Sequence, residues 1–188
     1  TSILLLHGRG LHPSEPNIID PLRVDLINVG YNVFSLQLPV LEKGKSYNDY
    51  VKIFKFSDTR IESALNYINS KKNIIIAHSC GAHMLLSFID NIGIENISGI
   101  VLLGAGAVDK DQVMKTDINL SSYKIPVLNI YAQYDHNSVK QFADVLKTQY
   151  SSIQDKYLNT LEVNDADHNY KDQTYILIES VKKWLKAL

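Results

Sequence analysis

With one cysteine in 188 residues, Cys80, the chain has no means of forming an internal disulfide or a structural zinc site built on thiolates. Charge of one sign is missing too, since 19 basic residues face 20 acidic ones and leave a formal charge of -1. No long-range field is available to draw in nucleic acid or an anionic membrane. No apolar run approaches the ~18 residues of a spanning helix, which excludes a membrane span of that kind. Internal repeats, low-complexity tracts and an evident linker are also lacking. Yet 45% of the residues are apolar, enough to fold, and disorder is excluded. The length, 1–188, suits one domain around one sizeable core. The chain opens at Thr1 and runs almost at once into apolar residues, as it would after removal of a leader or tag. The sequence leaves the compartment open between cytoplasmic and exported, and leaves the oligomeric state open as well.

What is present is an alternation. Short apolar runs at 3–6, 31–38, 74–77, 100–103 and 127–132, with a weaker one at 157–163, are separated by residues of helical period. Several runs are apolar at consecutive positions, the pattern of a strand covered on both faces by helices. Ile61, Ala64, Leu65 and Ile68 recur at helical spacing, as do Ala82, Leu85, Leu86 and Ile89, and Val139, Phe142, Ala143 and Leu146. Each set forms one apolar stripe. Asp58 is expected to cap the first of these helices by accepting from its free N–H groups. A last helix over about 173–188 carries Leu177, Val181, Trp184 and Leu188 on one side. Strands alternating with such helices imply right-handed crossovers. The predicted fold class is α/β, a three-layer sandwich around a mostly parallel sheet of about six strands. Two stretches, 40–57 and 105–124, are too long for simple turns and are expected to shape a site, although neither is long enough for a lid domain.

The chemistry concentrates at strand ends. The run at 74–76 leads into Ala77-His78-Ser79-Cys80-Gly81, and a helical pattern follows at once. A turn tight enough to lift a serine hydroxyl above a sheet crowds the positions two before and two after it, where Ala77 and Gly81 are both small. Centring the turn on Cys80 would put the large His78 at a crowded position, so Ser79 is the candidate nucleophile and Cys80 a packed side chain. The N–H groups at the start of the following helix favour developing negative charge, which makes the Cys80 amide a candidate oxyanion donor. His7-Gly8-Arg9-Gly10 follows the first strand, and the Arg9 amide is the second candidate donor. A serine nucleophile needs a base and the base needs an orienting carboxylate. Asp135, after the strand at 127–132, and His168, before the last helix, lie where such sheets gather catalytic groups.

These residues carry a resemblance. His7-Gly8-Arg9-Gly10, Ala77-His78-Ser79-Cys80-Gly81, Asp135 and Asp167-His168 resemble the α/β-hydrolase superfamily over nearly the whole chain, in the order Ser, Asp, His that this fold uses. The longer string through Leu11-His12-Pro13 resembles a bacterial branch of small hydrolase-like proteins of uncharacterised activity. Ala77 stands in place of the commoner first glycine, and the two leading strands usual in the superfamily are absent, which implies a reduced sheet without a lid domain. The resemblance implies serine-type hydrolysis of an ester or related acyl bond in a small-molecule substrate, without cofactor or metal. A non-catalytic binding protein that keeps the fold and an acyltransferase are the alternatives.

The remaining candidates have plainer readings. Asp109 is the reserve acid, while helix capping accounts for Asp165 and Asp167. His7 is expected to brace the turn after the first strand, His78 to point away from Ser79, and His136 to be a solvated loop residue. His78 and His83 are five apart, so a helix does not place both on one face for a metal. His12 and the aromatic residues Tyr47, Tyr50, Phe54 and Phe56 are candidates for the mouth of a site or for core. Arg9 is one of three arginines and reads as a salt-bridge partner or as a holder of an acidic substrate group. Gly104-Ala105-Gly106 lacks the third glycine of a dinucleotide turn, because Asp109 stands there. Gly44-Lys45-Ser46 lacks the earlier glycine of a phosphate loop, because Pro39 stands there. Neither supports a nucleotide cofactor.

Overall fold

A computed structural model describes residues 1–153 and 157–188. Its frame is one sheet of six strands, β1 (Ser2–Leu6), β2 (Asn32–Leu36), β3 (Asn73–His78), β4 (Gly99–Leu103), β5 (Val127–Ala132) and β6 (Leu158–Val163). They lie in the spatial order β2-β1-β3-β4-β5-β6, and each pairing is parallel. Every residue of β1, β3 and β4 is buried, so a run of consecutive apolar residues satisfies both faces of the sheet. The edge strands β2 and β6 are partly exposed, which is why the run at 157–163 is the weakest in the sequence.

Alternate strand residues enter two cores. Leu4, Leu6, Ile75, Ala77, Ile100 and Leu102 face α3 (Phe54–Ile68), α4 (Cys80–Asn91) and α5 (Asn137–Tyr150). Ile3, Leu5, Ile74, Ile76, Val101 and Leu103 face α1 (Ile19–Asn28) and α6 (Thr174–Ala187). The result is the three-layer arrangement that the alternation of runs and stripes predicts. No helix among the described residues is long and apolar enough to cross a membrane.

Three local features depart from the sequence reading. The stretch 40–57 is not simply a loop: it holds α2 (Tyr47–Val51) and the first turn of α3. Ser46 accepts from the Asp49 N–H while the Asp49 side chain accepts from the Ser46 N–H, a reciprocal cap that starts α2. Asp58 therefore lies inside α3 and does not cap it. Its carboxylate is buried and accepts from Ser87 and Asn91 of α4 at 3.3 and 2.8 Å, joining the two helices. At α1 the terminal amides of Asn17, Ile18 and Ile19 all donate to the buried carboxylate of Glu15, at 2.7, 2.9 and 3.2 Å.

Candidate active site

The turn after β3 has the tightness read from its small residues. Ser79 has φ 53° and ψ -119°, a left-handed conformation that non-glycine residues rarely adopt. Its N–H donates to the Leu103 carbonyl of β4 at 2.8 Å, and Ala82 N–H returns to the Ser79 carbonyl at 2.9 Å. A side chain at Gly81 would stand 2.5 Å from the His7 carbonyl oxygen and 2.8 Å from that of Leu6. Both are backbone atoms that cannot step aside, so glycine is required. A Cβ on Gly8 would lie 3.4 Å from Ser79 Cβ, which sets the loop after β1 directly against the serine.

Asp135 and His168 arrive from the ends of β5 and β6. His168 Nε2 lies 2.8 Å from Ser79 Oγ, and His168 Nδ1 lies 2.6 Å from Asp135 Oδ1. Three stretches far apart in sequence thus form one hydrogen-bonded chain. The Asp135 side chain has no solvent exposure, against 18% for His168. Burial opposes its charge, but hydrogen bonds from His168 and from the amides of His136 and Ala132 outweigh it and hold the carboxyl below its ordinary range. With an ionised acceptor, Nδ1 carries a proton and Nε2 is left as the acceptor for the serine hydroxyl.

The loop that carries His168 is clamped at several points. Tyr134 N–H donates to the Ala166 carbonyl at 2.9 Å, and the buried Tyr170 hydroxyl donates to the Ile130 carbonyl at 2.8 Å. Asp167 accepts from the Asn169 and Lys171 amides at 3.0 and 3.1 Å, while Asp165 accepts from the Tyr134 hydroxyl at 3.4 Å. Both acids shape this loop and neither caps α6, whose preceding residue Gln173 makes no side-chain cap. His78 Nε2 donates to the His168 carbonyl at 3.2 Å, and its ring lies 5.2 Å from the His168 ring. Burial lowers the His78 pKa to about 4, so it is neutral at pH 7.

The other candidates have found structural partners. His7 Nδ1 donates to the Gly8 carbonyl at 2.9 Å, and Nε2 accepts from Leu38 N–H at 3.0 Å, so His7 braces the turn as the sequence suggests. Burial pushes the Cys80 thiol up to about 12, and it is packed. Arg9 forms two bonds to Asp109, at 2.6 and 2.8 Å, and Asp109 also accepts from Tyr47 N–H at 2.6 Å. Asp109 is thereby occupied away from His168. His12 is exposed and takes a bond from Ser14 N–H, and Phe54 belongs to the core. Tyr47 lines the cavity above Ser79, whereas Tyr50 lines a neighbouring one.

The residue that sequence reasoning passed over is Gly104. Its φ is 56°, and a Cβ there would stand 2.9 Å from His168 Cε1, 3.0 Å from Nδ1 and 3.4 Å from Asp135 Oδ2. The glycine is needed as the floor beneath the imidazole, and not for any nucleotide. Nothing local marks that need, because the neighbour is 64 residues away in sequence and meets Gly104 only in three dimensions.

The cavity above Ser79 measures about 450 Å³ and is bordered by Gly8, Arg9, Tyr47, Val108, His136 and His168. Both long stretches contribute to it. His136 is exposed, with its ring 4.9 Å from that of His168. Among the described residues, Asp135, His136 and His168 bring one donor atom each within 4.8 Å of one another, close enough to ligate a cation. Two of them are already committed to each other at 2.6 Å, so an ion there would compete with the chain that ends on Ser79.

No family model and no curated protein matches the chain. Solved structures do. A CIB-like hydrolase from Thermoplasma acidophilum is 17% identical with a TM-score of 0.72, over 100% of this chain and 86% of that one. The esterase EaEST from Exiguobacterium antarcticum is 12% identical with a TM-score of 0.74, over 99% and 92% of the two chains. Est1E from Butyrivibrio proteoclasticus is 15% identical with a TM-score of 0.72, over 98% and 86%. This is the α/β-hydrolase fold. Here Ser79 after β3, Asp135 after β5 and His168 after β6 all stand outside the carboxyl ends of parallel strands. The α/β-hydrolase fold is reached here with six strands and with helices on both faces.

Proposed function

We propose that the protein is a serine hydrolase that cleaves a carboxylic ester or related acyl bond through Ser79, His168 and Asp135. One observation carries the reading: the unbroken path from Asp135 Oδ1 through both nitrogens of His168 to Ser79 Oγ, at 2.6 and 2.8 Å. In this scheme the Ser79 oxygen attacks the acyl carbon as its proton passes to His168 Nε2. Asp135 holds the imidazole tautomer and stabilises its charged form. The amides of Arg9 and Cys80 receive the oxyanion, each lowering the barrier by about 3 kcal/mol. His168 then returns the proton to the leaving oxygen, and water cleaves the acyl-enzyme by the same steps. Ser79 is the nucleophile and Cys80 is not, since a thiol held near a pKa of about 12 supplies almost no thiolate. The scheme needs no cofactor and no metal. Esterases among the solved structures of similar fold add support for an ester substrate. The chain acts as one domain on a small molecule.

Steady-state hydrolysis of short p-nitrophenyl esters tests the reading. Ser79→Ala is expected to lose turnover by at least about a thousandfold. Equal turnover in the variant and the wild type would refute it. Adding an alcohol or amine and identifying the products tells hydrolysis from transfer: a new ester or amide at the expense of free acid marks an acyltransferase.

A further inference from the structure

His136 borders the cavity above Ser79 and has no part in the hydrolytic scheme. Its ring is exposed, and neither ring nitrogen has a hydrogen-bond partner among the described residues. It stands edge-on to His168, with ring centres 4.9 Å apart and planes at 68°. His136, His168 and Asp135 each place one donor atom within 4.8 Å of the other two. Asp135 has acceptor capacity to spare. Its Oδ1 accepts from His168 Nδ1 and the His136 N–H, whereas Oδ2 accepts only from the Ala132 N–H, at 3.4 Å. Four-coordinate zinc holds nitrogen and carboxylate donors at about 2.0–2.2 Å, which sets them about 3.3 Å from one another. A turn of the exposed His136 ring, with a widening of the 2.6 Å contact between Asp135 and His168, brings the three donors to that spacing. The fourth position faces the cavity and is left to water.

The donor set also selects the ion. Two imidazoles and a carboxylate suit zinc, whereas magnesium and calcium take oxygen ligands. Competing donors elsewhere are few: His7, His78, His83 and Cys80 are buried, and His12 is the other exposed histidine. We infer that His136, His168 and Asp135 form a zinc site through which the ion switches the enzyme off reversibly. The inhibition rests on the serine-hydrolase reading; the binding does not. Either nitrogen of His168 gives the same result. On Nε2 the ion takes the lone pair that accepts the Ser79 proton. On Nδ1 it moves the ring proton to Nε2 and parts the ring from Asp135. Only coordinate bonds form, so a chelator restores the free enzyme.

The test measures p-nitrophenyl acetate hydrolysis in zinc chloride, with and without EDTA, for the wild type, His136→Ala and His12→Ala. Micromolar zinc is expected to stop turnover by the wild type and by His12→Ala, EDTA to restore it, and magnesium at the same concentration to do nothing. In His136→Ala the half-inhibiting zinc concentration rises by at least about tenfold. Each variant is compared with its own zinc-free rate, so any effect of the substitution on turnover itself cancels. Calorimetric titration of zinc into Ser79→Ala, with and without His136→Ala, reads the same site without needing turnover; one ion per chain is expected, bound more weakly by a similar factor in the double variant. A wild type indifferent to zinc, equal inhibition of the wild type and His136→Ala, or inhibition removed by His12→Ala overturns the site while leaving the hydrolase reading intact. A wild type that turns over no ester yet binds one zinc through His136 contradicts the hydrolase reading and leaves the metal site standing.

Discussion

Replacing Gly104 by alanine separates the requirements of the fold from those of the site. The added methyl would meet His168 Cε1 at 2.9 Å and Nδ1 at 3.0 Å, closer than carbon atoms approach without displacement. Of the two side chains it would meet, the imidazole is the one that can move far, since Asp135 is fixed by the His136 and Ala132 amides. An imidazole shifted by even part of an ångström no longer aligns Nε2 with Ser79 Oγ, and misplacement on that scale costs up to about a hundredfold in rate. A second cost is conformational, because alanine at a φ of 56° pays about 1–2 kcal/mol. For a chain of this length that lowers Tm by roughly 2–8 °C. Gly30 supplies the control: its φ is 94°, yet no heavy atom lies within 4 Å of where its Cβ would be. Differential scanning fluorimetry should show a lowered Tm for both variants, with Gly104→Ala losing at least as much as Gly30→Ala. Ester turnover should fall by about ten- to a hundredfold in Gly104→Ala alone. Wild-type turnover in Gly104→Ala would refute the placement of His168 above this glycine and the inference drawn from it.

Further tests follow the same logic. Asp135→Asn should lower kcat by on the order of 10³–10⁴-fold, whereas Asp109→Asn, which touches Arg9 and the Tyr47 amide, should cost far less; kcat on a short ester decides, and the reverse ranking would move the acid to Asp109. His78 and His83 are both buried, and burial holds their pKa values at about 4. The unfolded chain therefore binds protons more readily between pH 6.5 and about 4. Stability should be full above that window and fall as pH drops through it, by up to about 3 kcal/mol per histidine. Urea unfolding at pH 7 and pH 4.5 should show the drop, and His83→Gln should shrink it; an unchanged pH dependence would contradict the burial of that ring. Glu15→Ala should cost about 1–2 kcal/mol by leaving three amides at the start of α1 without their acceptor, and chemical denaturation measures it.

How far the sequence could be read depended on the range of each interaction. The central strands are legible because burial on both faces writes itself as consecutive apolar residues, as at Ile74, Ile75 and Ile76. Helices α4 and α5 are legible from one clean stripe each. Helix α1 is not, because Pro21 sits in its first turn and its terminal amides are satisfied by Glu15, upstream of any recognised cap. Asp58 misleads for the opposite reason: its type suits a cap, but its partners Ser87 and Asn91 belong to another helix. At the site, Ser79, Asp135 and His168 can be proposed as neighbours because each follows a strand of one parallel sheet, and such strands end at a common edge. Gly104, the pinning of His78 to the His168 backbone, and the Arg9–Asp109 ion pair have no local signature. Each exists only once distant loops have been brought together.

Covalent trapping tests the central claim most directly. After incubation with a fluorophosphonate, digestion and mass spectrometry should locate a single phosphonate adduct on Ser79 in the wild type, with no adduct in Ser79→Ala and labelling slowed severely in His168→Gln. An adduct on another residue, or equal labelling of the wild type and His168→Gln, would contradict the account.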